Sequence, residues 1–430
     1  MNIGLDIRGF KSDNVRGAVA TMAGALPPND PLAHVFFEDR IDHRMTVSSS
    51  GQVDLRATRT RGVAVGGKSS VHLTDVPFQL PSDIEADGER SPIWAAELQT
   101  AIEQACGRAA TGFGQLFWTA RLVAFRQDVW VGFLGGEVVQ DARRGCRLAL
   151  RIRLGGANPS EAFQDLVLAH QGPWPIARAF EQALERAEGR SAIGSHPAQG
   201  PATIVFASGT AGVVVHELIG HALEADAVIA GRSWLGGRQL PHSGRPVTIV
   251  DNPRLGRGAW SFDDEGVASG ETILVDRGRR VGMLIDRSTG DMLRAESTGH
   301  GRRSTYLDAI RPRMGCTFIQ AGDDDPAAIV RETPDGLYIR RLDTGHTDPA
   351  TGRATFVVSD ADRISAGLLA EPLGAFVLEL DGPQAWSSID RVAGDLSFDT
   401  CVGSCSRDGQ PLAVSVGAPT IRIGVATVRS

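Results

Sequence analysis

The sequence predicts an α+β protein in two parts. An N-terminal α/β-hairpin domain (1–193) is followed by a β-rich antiparallel C-terminal domain (194–430) carrying a buried HExxxH helix. Three observations carry that expectation. HVFFEDRIDHRMTVSSSGQVDLRATRTRGVAV (34–65) and RLVAFRQDVWVGFLGGEVVQDARRGCRLALRI (121–152) share a strand–glycine turn–strand pattern at an offset of about 84 residues. The second half is a succession of short β-prone runs punctuated by Gly, Pro, Asp and Asn. Ahead of those runs lies one strongly apolar segment, VVVHELIGHALEAD (213–226), whose composition suits a buried helix.

Taken in order, the hairpin turns of the first domain fall at Gly51 and at Gly135–Gly136. IWAAELQTAIEQACGRAA (93–110) has apolar residues at helical spacing, and PWPIARAFEQALERAEGR (173–190) has proline near its start and glycine near its end, so each predicts a helix. GSHPAQGPA (194–202) is a connector and the expected domain boundary. ATIVFASGT (202–210) is a strand and turn leading into the apolar helix. VTIVDNP, ETILVD, VGMLID, CTFIQAG, GLYIRRLD, RATFVVSD, AFVLELDG and LAVSVG then read as strands, with Gly352 and Gly367 in hairpin turns. DDDPAAIVRETPDG (323–336) reads as a brief helix, because aspartate suits a helix N-terminus.

The formal net charge of −7 argues against a nucleic-acid binder, whose footprint is basic. The arginine clusters at 56–62, 277–280 and 301–304 are dispersed among acidic residues and read as solvated faces. Five cysteines without a regular framework fit a reducing compartment, and MNIGLDIRGFKSDN has no signal-peptide pattern, so the expected location is cytoplasmic. His216, Glu217, His221, Glu224 and Asp226 interrupt the apolar stretch at 211–230, so no membrane span is expected.

The chemistry concentrates in that stretch. Apolar residues occupy every side of the expected helix, and burying a polar group there without a partner costs about 1–3 kcal/mol. His216, Glu217 and His221 therefore call for a shared partner, and a metal ion is one that suits two imidazoles, with the carboxylate beside it as a base. Spacing is the obstacle, since residues five apart lie about 140° round a regular helix. The expectation is a local irregularity such as a π turn between His216 and His221, helped by the backbone freedom of Gly220. A third ligand comes from elsewhere. Asp226 and Glu224 are near in sequence, with Glu224 better placed to orient a histidine. Cys405, in DTCVGSCSRDGQPLAVSVGAPT (399–420), is the stronger candidate, and Cys401 competes with it. A metal-free thiol hydrolase with His216 as base is the alternative, but it leaves His221 and Glu217 without roles. Imidazole and thiolate ligands favour Zn2+ over magnesium or calcium.

HELIGHALEAD (216–226) resembles the HExxxH segment of the TldD/PmbA family of metallopeptidases. The likeness continues through SFDDEG (261–266), GHGRRSTY (299–306), PRM (312–314), GLYI (336–339) and CVGSCSRDGQPLAVSVGAPT (401–420), and VSSSGQV…RGVAVGG in the first domain looks similar. The resemblance implies a zinc peptidase of the catalytic TldD type acting on unfolded or short peptides, including leader segments. His216, His221 and Cys405 would bind one zinc, and Glu217 would be the catalytic glutamate. It further implies a dimer enclosing a cavity, either a homodimer or a heterodimer with a PmbA-type paralogue. Relative to that family the chain starts later, which suggests a shortened first helix and strand, and Cys401 is an extra thiol. Arg302, Arg303 and Tyr306, in a polar matched motif, are candidate substrate-binding residues, with a plain surface turn as the alternative. The competing functions are a non-catalytic peptide-binding subunit of the same fold and a zinc amide hydrolase acting on small molecules.

Overall fold

Side chains alternate faces along a strand, so the long strands of the first third each present an apolar row to a core. The structure is a computed structural model and describes residues 12–24, 26, 28–50, 52–67, 116–155, 160–167, 176–190, 196–399 and 403–429. Strands β1 (His34–Ser48), β2 (Val53–Gly66), β3 (Leu116–Phe133), β4 (Val138–Leu154) and β5 (Ser160–Val167) form one antiparallel sheet in the order β2-β1-β3-β4-β5. The two repeats are thus two hairpins lying side by side. The expected helix at 93–110 and the turn residue Gly51 lie outside the described residues.

One face of this sheet carries Val35, Phe37, Met45, Leu122 and Trp130. It is covered by a helix at Ser12–Ala23, through Val15 and Val19, and by a second at Ile176–Arg190, through Ala179, Phe180 and Ala183. The opposite face carries Phe36, Val129 and Val131, against which Tyr306 of the second half packs.

The second half is built from two sheets. Strands Asp335–Asp348, Gly200–Phe206, Ile421–Arg429, Phe376–Asp381 and Arg353–Ser365 pair in that order, and the last pairs back to the first, closing a ring. The other sheet orders Ser397–Phe398, Ser415–Ala418, Cys316–Ile319, Ile249–Asp251, Thr272–Asp276 and Arg279–Arg280. Pairing between the strands of these two sheets is antiparallel except where Gly200–Phe206 meets Asp335–Asp348 and where Cys316–Ile319 meets Ser415–Ala418. Gly352 and Gly367 both adopt positive φ in hairpin turns, and the brief helix forms at Pro326–Arg331 with Asp325 capping it. VGMLID (281–286) is the exception among the expected strands. Leu284 bonds through its backbone to Leu223 and Ala225 of the helical segment, so the run forms an isolated bridge rather than a strand. The apolar helix lies between the two sheets, in a core shared by Ile204, Phe206 and Phe356 on one side and Ile249, Ile319 and Val416 on the other. Among the described residues, no helix is long and apolar enough to cross a membrane.

A buried polar seam joins the two halves. Arg143 on β4 is fully buried, donating to Asp264 Oδ1 (2.5 Å), Asp141 Oδ2 (3.0 Å) and the carbonyl of Phe262 (2.7 Å). Asp264 also accepts from Arg302 Nε (3.2 Å) and the backbone N–H of Arg303 (2.7 Å). Burial by itself would raise the Asp264 carboxyl, but Arg143 and Arg302 outweigh it and hold it at about 2. Burial and the adjacent Arg303 guanidinium push the His34 imidazole down to about 4, so it is neutral near pH 7; its Nδ1 meets the carbonyl of Leu32 at 2.9 Å and its Nε2 lies 3.4 Å from Arg303 Nη2.

Candidate metal centre

The segment from Ala211 is helical through Leu223, but it changes pitch on the way. Ala211–Val215 is an α-helix, His216–Gly220 is a π turn and His221–Leu223 is a 3-10 turn. The N–H of His221 donates to the carbonyl of His216, an i to i+5 bond that brings the two histidines onto one side. Their rings lie 5.0 Å apart, nearly perpendicular at 82°. Trp234 Nε1 donates to the carbonyl of Leu218 inside the π turn (2.8 Å), and Ser233 Oγ donates to that of Ala222 (2.5 Å). The irregular stretch is therefore hydrogen-bonded from outside, as a buried backbone requires.

Gly220 has a different task from the one the sequence suggests. Its φ of −57° and ψ of −57° are ordinary for a helix, so no special freedom is used. A Cβ placed there would instead lie 2.0 Å from Met314 Sδ. Gly220→Ala is expected to cost about 1–3 kcal/mol by overpacking, read from denaturant unfolding. In a double-mutant cycle with Met314→Ala the double variant should lose less stability than the sum of the two single losses; strict additivity would show that the close approach is not the cause.

Cys405 reaches this site from a short hairpin, Cys405–Arg407 paired with Gln410–Leu412. Its Sγ lies 3.3 Å from His221 Nε2, and ligand atoms of His216, His221 and Cys405 all fall within 4.8 Å of one another. All three residues are buried, at 3%, 8% and 8% exposure. Tetrahedral zinc with nitrogen at about 2.0–2.1 Å and sulfur at about 2.3 Å needs ligand atoms roughly 3.4 Å apart, which is the spacing approached here. The Nδ1 atom of His216 is buried without a hydrogen-bond partner, a cost that argues for a further partner at this site. Burial pushes the Cys405 thiol up, but His221 and His216 outweigh it and hold the thiol well below its usual range. Burial works downward on His221, where Glu224 and Cys405 prevail and raise the imidazole well above its ordinary value. The cluster is built to hold positive charge, and its donors suit a zinc ion.

Behind the ligands stands a carboxylate–guanidinium network. Glu224 is extended (φ −69°, ψ 120°), which breaks the helix and turns its side chain back so that Oε2 lies 3.0 Å from His221 Nδ1. Arg407 donates to Glu224 Oε2 (2.7 Å) and to both oxygens of Asp226 (2.9 and 2.7 Å). Glu224 thus stands in direct contact with His221, and Asp226 acts through Arg407. Sequence reasoning missed Arg407, although it lies two residues after Cys405 on a strand and so on the same face.

Glu217 stands apart from these bonds. No hydrogen bond or ion pair holds its carboxylate among the described residues, and it lines two adjoining cavities, of about 590 and 370 Å3. Gly345, Ser404 and Cys405 line both as well, so the site lies where the cavities meet. Arg302, Arg303 and Tyr306 line neither. Arg302 and Arg303 are buried, stacked over Trp260 and Phe36 at 4.2 and 4.6 Å, and Tyr306 packs against the first sheet. The structure therefore places them in the seam between the halves, where Arg302 and Arg303 pair with Asp264 and Tyr306 meets the first sheet, away from the cavities that Glu217 lines. Cys401 lies outside the described residues.

Two histidines and a cysteine thus form a candidate metal-binding cluster, with a carboxylate unpaired among the described residues beside it where two cavities meet. The pattern of the PmbA/TldA metallopeptidase C-terminal domain matches residues 199–430, and the chain belongs to that family. It is similar to a metalloprotease of Methanothermobacter thermautotrophicus, at 33% identity over 59% of this chain and 56% of that protein. It is also similar to a TldD homolog metalloprotease of Haemophilus influenzae, at 31% identity over 52% of this chain and 47% of the relative. The matches thus span about half the length of these relatives. The fold is shared with the crystal structure of TldE from Thermococcus kodakarensis, at a TM-score of 0.70 and 13% identity, covering 97% of this chain and 99% of that one.

Proposed function

We propose that the chain is a zinc-dependent peptidase that hydrolyses unfolded or short peptides, leader segments among them, with Glu217 as the base. The observation that carries this reading is Glu217 itself, without a hydrogen-bond or ion-pair partner among the described residues and facing both cavities beside the His216–His221–Cys405 cluster. A purely structural zinc site has no use for such a group.

His216, His221 and Cys405 would hold the ion, and when bound it would supply Lewis acidity toward the peptide carbonyl and water. Glu217 takes the proton from the attacking water at its carboxylate, holds it, and delivers it to the leaving amine. Glu224 fixes the ring of His221, and Arg407 fixes Glu224. Strand Asp335–Asp348 pairs with Gly200–Phe206 only through Leu337–Ile339. Beyond that point Leu342–Gly345 lines the smaller cavity and Gly345–Asp348 the larger, on an edge that no described strand pairs. That edge suits an extended peptide held by main-chain bonds, which would make side-chain selectivity loose. The same reading carries a homodimer, or a heterodimer with a PmbA-type paralogue, working in the cytoplasm.

The test is metal analysis of the purified chain together with a mass-spectrometric digest of a mixed peptide library. Cleavage that a chelator abolishes and added zinc restores is the expected result. Stoichiometric zinc with peptide bound but none cleaved would instead make the chain a binding subunit.

A further inference from the structure

Arg313 is among the largest fully buried side chains of the described residues, at 1% exposure. Burying a guanidinium costs several kcal/mol unless anionic partners and hydrogen bonds offset it. Its partners lie in the metal centre. Nη2 donates to the carbonyl of Cys405 (2.9 Å) and lies 3.5 Å from the Cys405 sulfur. Nη1 donates to the carbonyl of Gln410 (3.0 Å), and Nε sits 3.8 Å from Glu224 Oε1. One cation therefore touches a ligand sulfur, both strands of the hairpin that carries it, and the carboxylate that orients His221. The backbone beside it is held too, with the N–H of Arg313 bonded to the carbonyl of His300 (2.9 Å), while its neighbour Met314 packs on Gly220.

We infer that Arg313 is a positioning residue of the metal centre: it fixes the Cys405 sulfur in reach of His221 and draws charge from that sulfur through a hydrogen bond. Neutralising Glu224 alone would not require it, because Arg407 already bonds the other oxygen of that carboxylate at 2.7 Å. The particular contribution of Arg313 is at the sulfur. A cationic donor there stabilises the sulfur lone pairs, lowers the donor strength of the thiolate and leaves the ion a stronger Lewis acid.

This inference rests on the metal-site reading above, and cobalt(II) separates the two. Bound through a thiolate, cobalt(II) gives a sulfur-to-metal charge-transfer band in the near ultraviolet. That band in the native protein is the expected signature of Cys405 ligation; cobalt bound without it overturns this inference and the cysteine ligand, and no cobalt bound at all overturns the metal reading itself. In Arg313→Met, and in Arg313→Gln, which keeps a donor for the two carbonyls should the methionine variant not fold, the band should move to lower energy. Cobalt affinity, measured by competition with a chelator, should fall by about 10- to 100-fold, the range seen when a supporting group is lost, because losing the fixed place of the sulfur outweighs the stronger donor an unbonded thiolate makes. Arg313→Lys should recover part of the band position. A native protein with the band, and a folded variant of either kind showing the native band energy and affinity, overturns the role of Arg313 while leaving the metal site standing.

Discussion

Glu217→Gln is expected to keep the bound metal and to lose peptide hydrolysis by about 100- to 10,000-fold, the usual weight of a general acid–base group. Glutamine matches the shape of glutamate but cannot take up the proton. Glu217 is not one of the three clustered donors, so a bound ion would have no reason to leave. Nor does the substitution break a bond, because the carboxylate is unpartnered among the described residues. Stability should therefore hold, and a loss of activity would report chemistry rather than folding. The check is kcat on a cleavable peptide alongside metal content. Undiminished turnover would remove Glu217 from the mechanism, and loss of metal would make it a fourth ligand. Gly345 adds a constraint, since a Cβ there would come 2.8 Å from the Phe356 ring and 3.2 Å from Glu217 Cγ. The glycine leaves room for both the Phe356 ring and the Glu217 side chain beside the cavities.

Much of this site was legible in the sequence because its constraints are local. An apolar helix with histidines five apart admits a shared ligand only if its pitch changes, and the π turn at His216–Gly220 meets that requirement. The two hairpins of the first sheet were legible for the same reason, their pattern being strand, turn and strand within one stretch of chain. What escaped depends on contacts between distant segments. Gly220 read as a source of backbone freedom, but its reason is Met314, ninety-four positions on. Arg302 and Arg303 read as polar surface because arginine is mostly exposed. They are buried because Asp264 and Phe36, from other parts of the chain, meet them. Arg313 gave no signal at all, since nothing in PRM distinguishes a buried guanidinium from a solvated one.

Cys405→Ala is expected to remove one of the three donors and to weaken zinc by more than the about 10- to 100-fold typical of losing a supporting group, whereas Cys401→Ala should leave zinc content unchanged. The geometry favours Cys405 because its sulfur is already 3.3 Å from His221 Nε2 in a hairpin pinned by Arg313 and Arg407. Alanine takes away more than a ligand atom. It leaves the Arg313 guanidinium facing the cluster without the anionic sulfur, so cationic charge opposes a metal cation in a buried space. Cys405→Ser restores the volume and a weak oxygen donor but not the thiolate, and it should recover little of the affinity. Metal content after dialysis against a chelator, measured on all three variants, decides the assignment. Zinc retained by Cys405→Ala and lost by Cys401→Ala would transfer the third ligand to the other thiol. Zinc retained by both would leave the two histidines with a partner other than either cysteine, and the arginines behind Cys405 would then need another explanation.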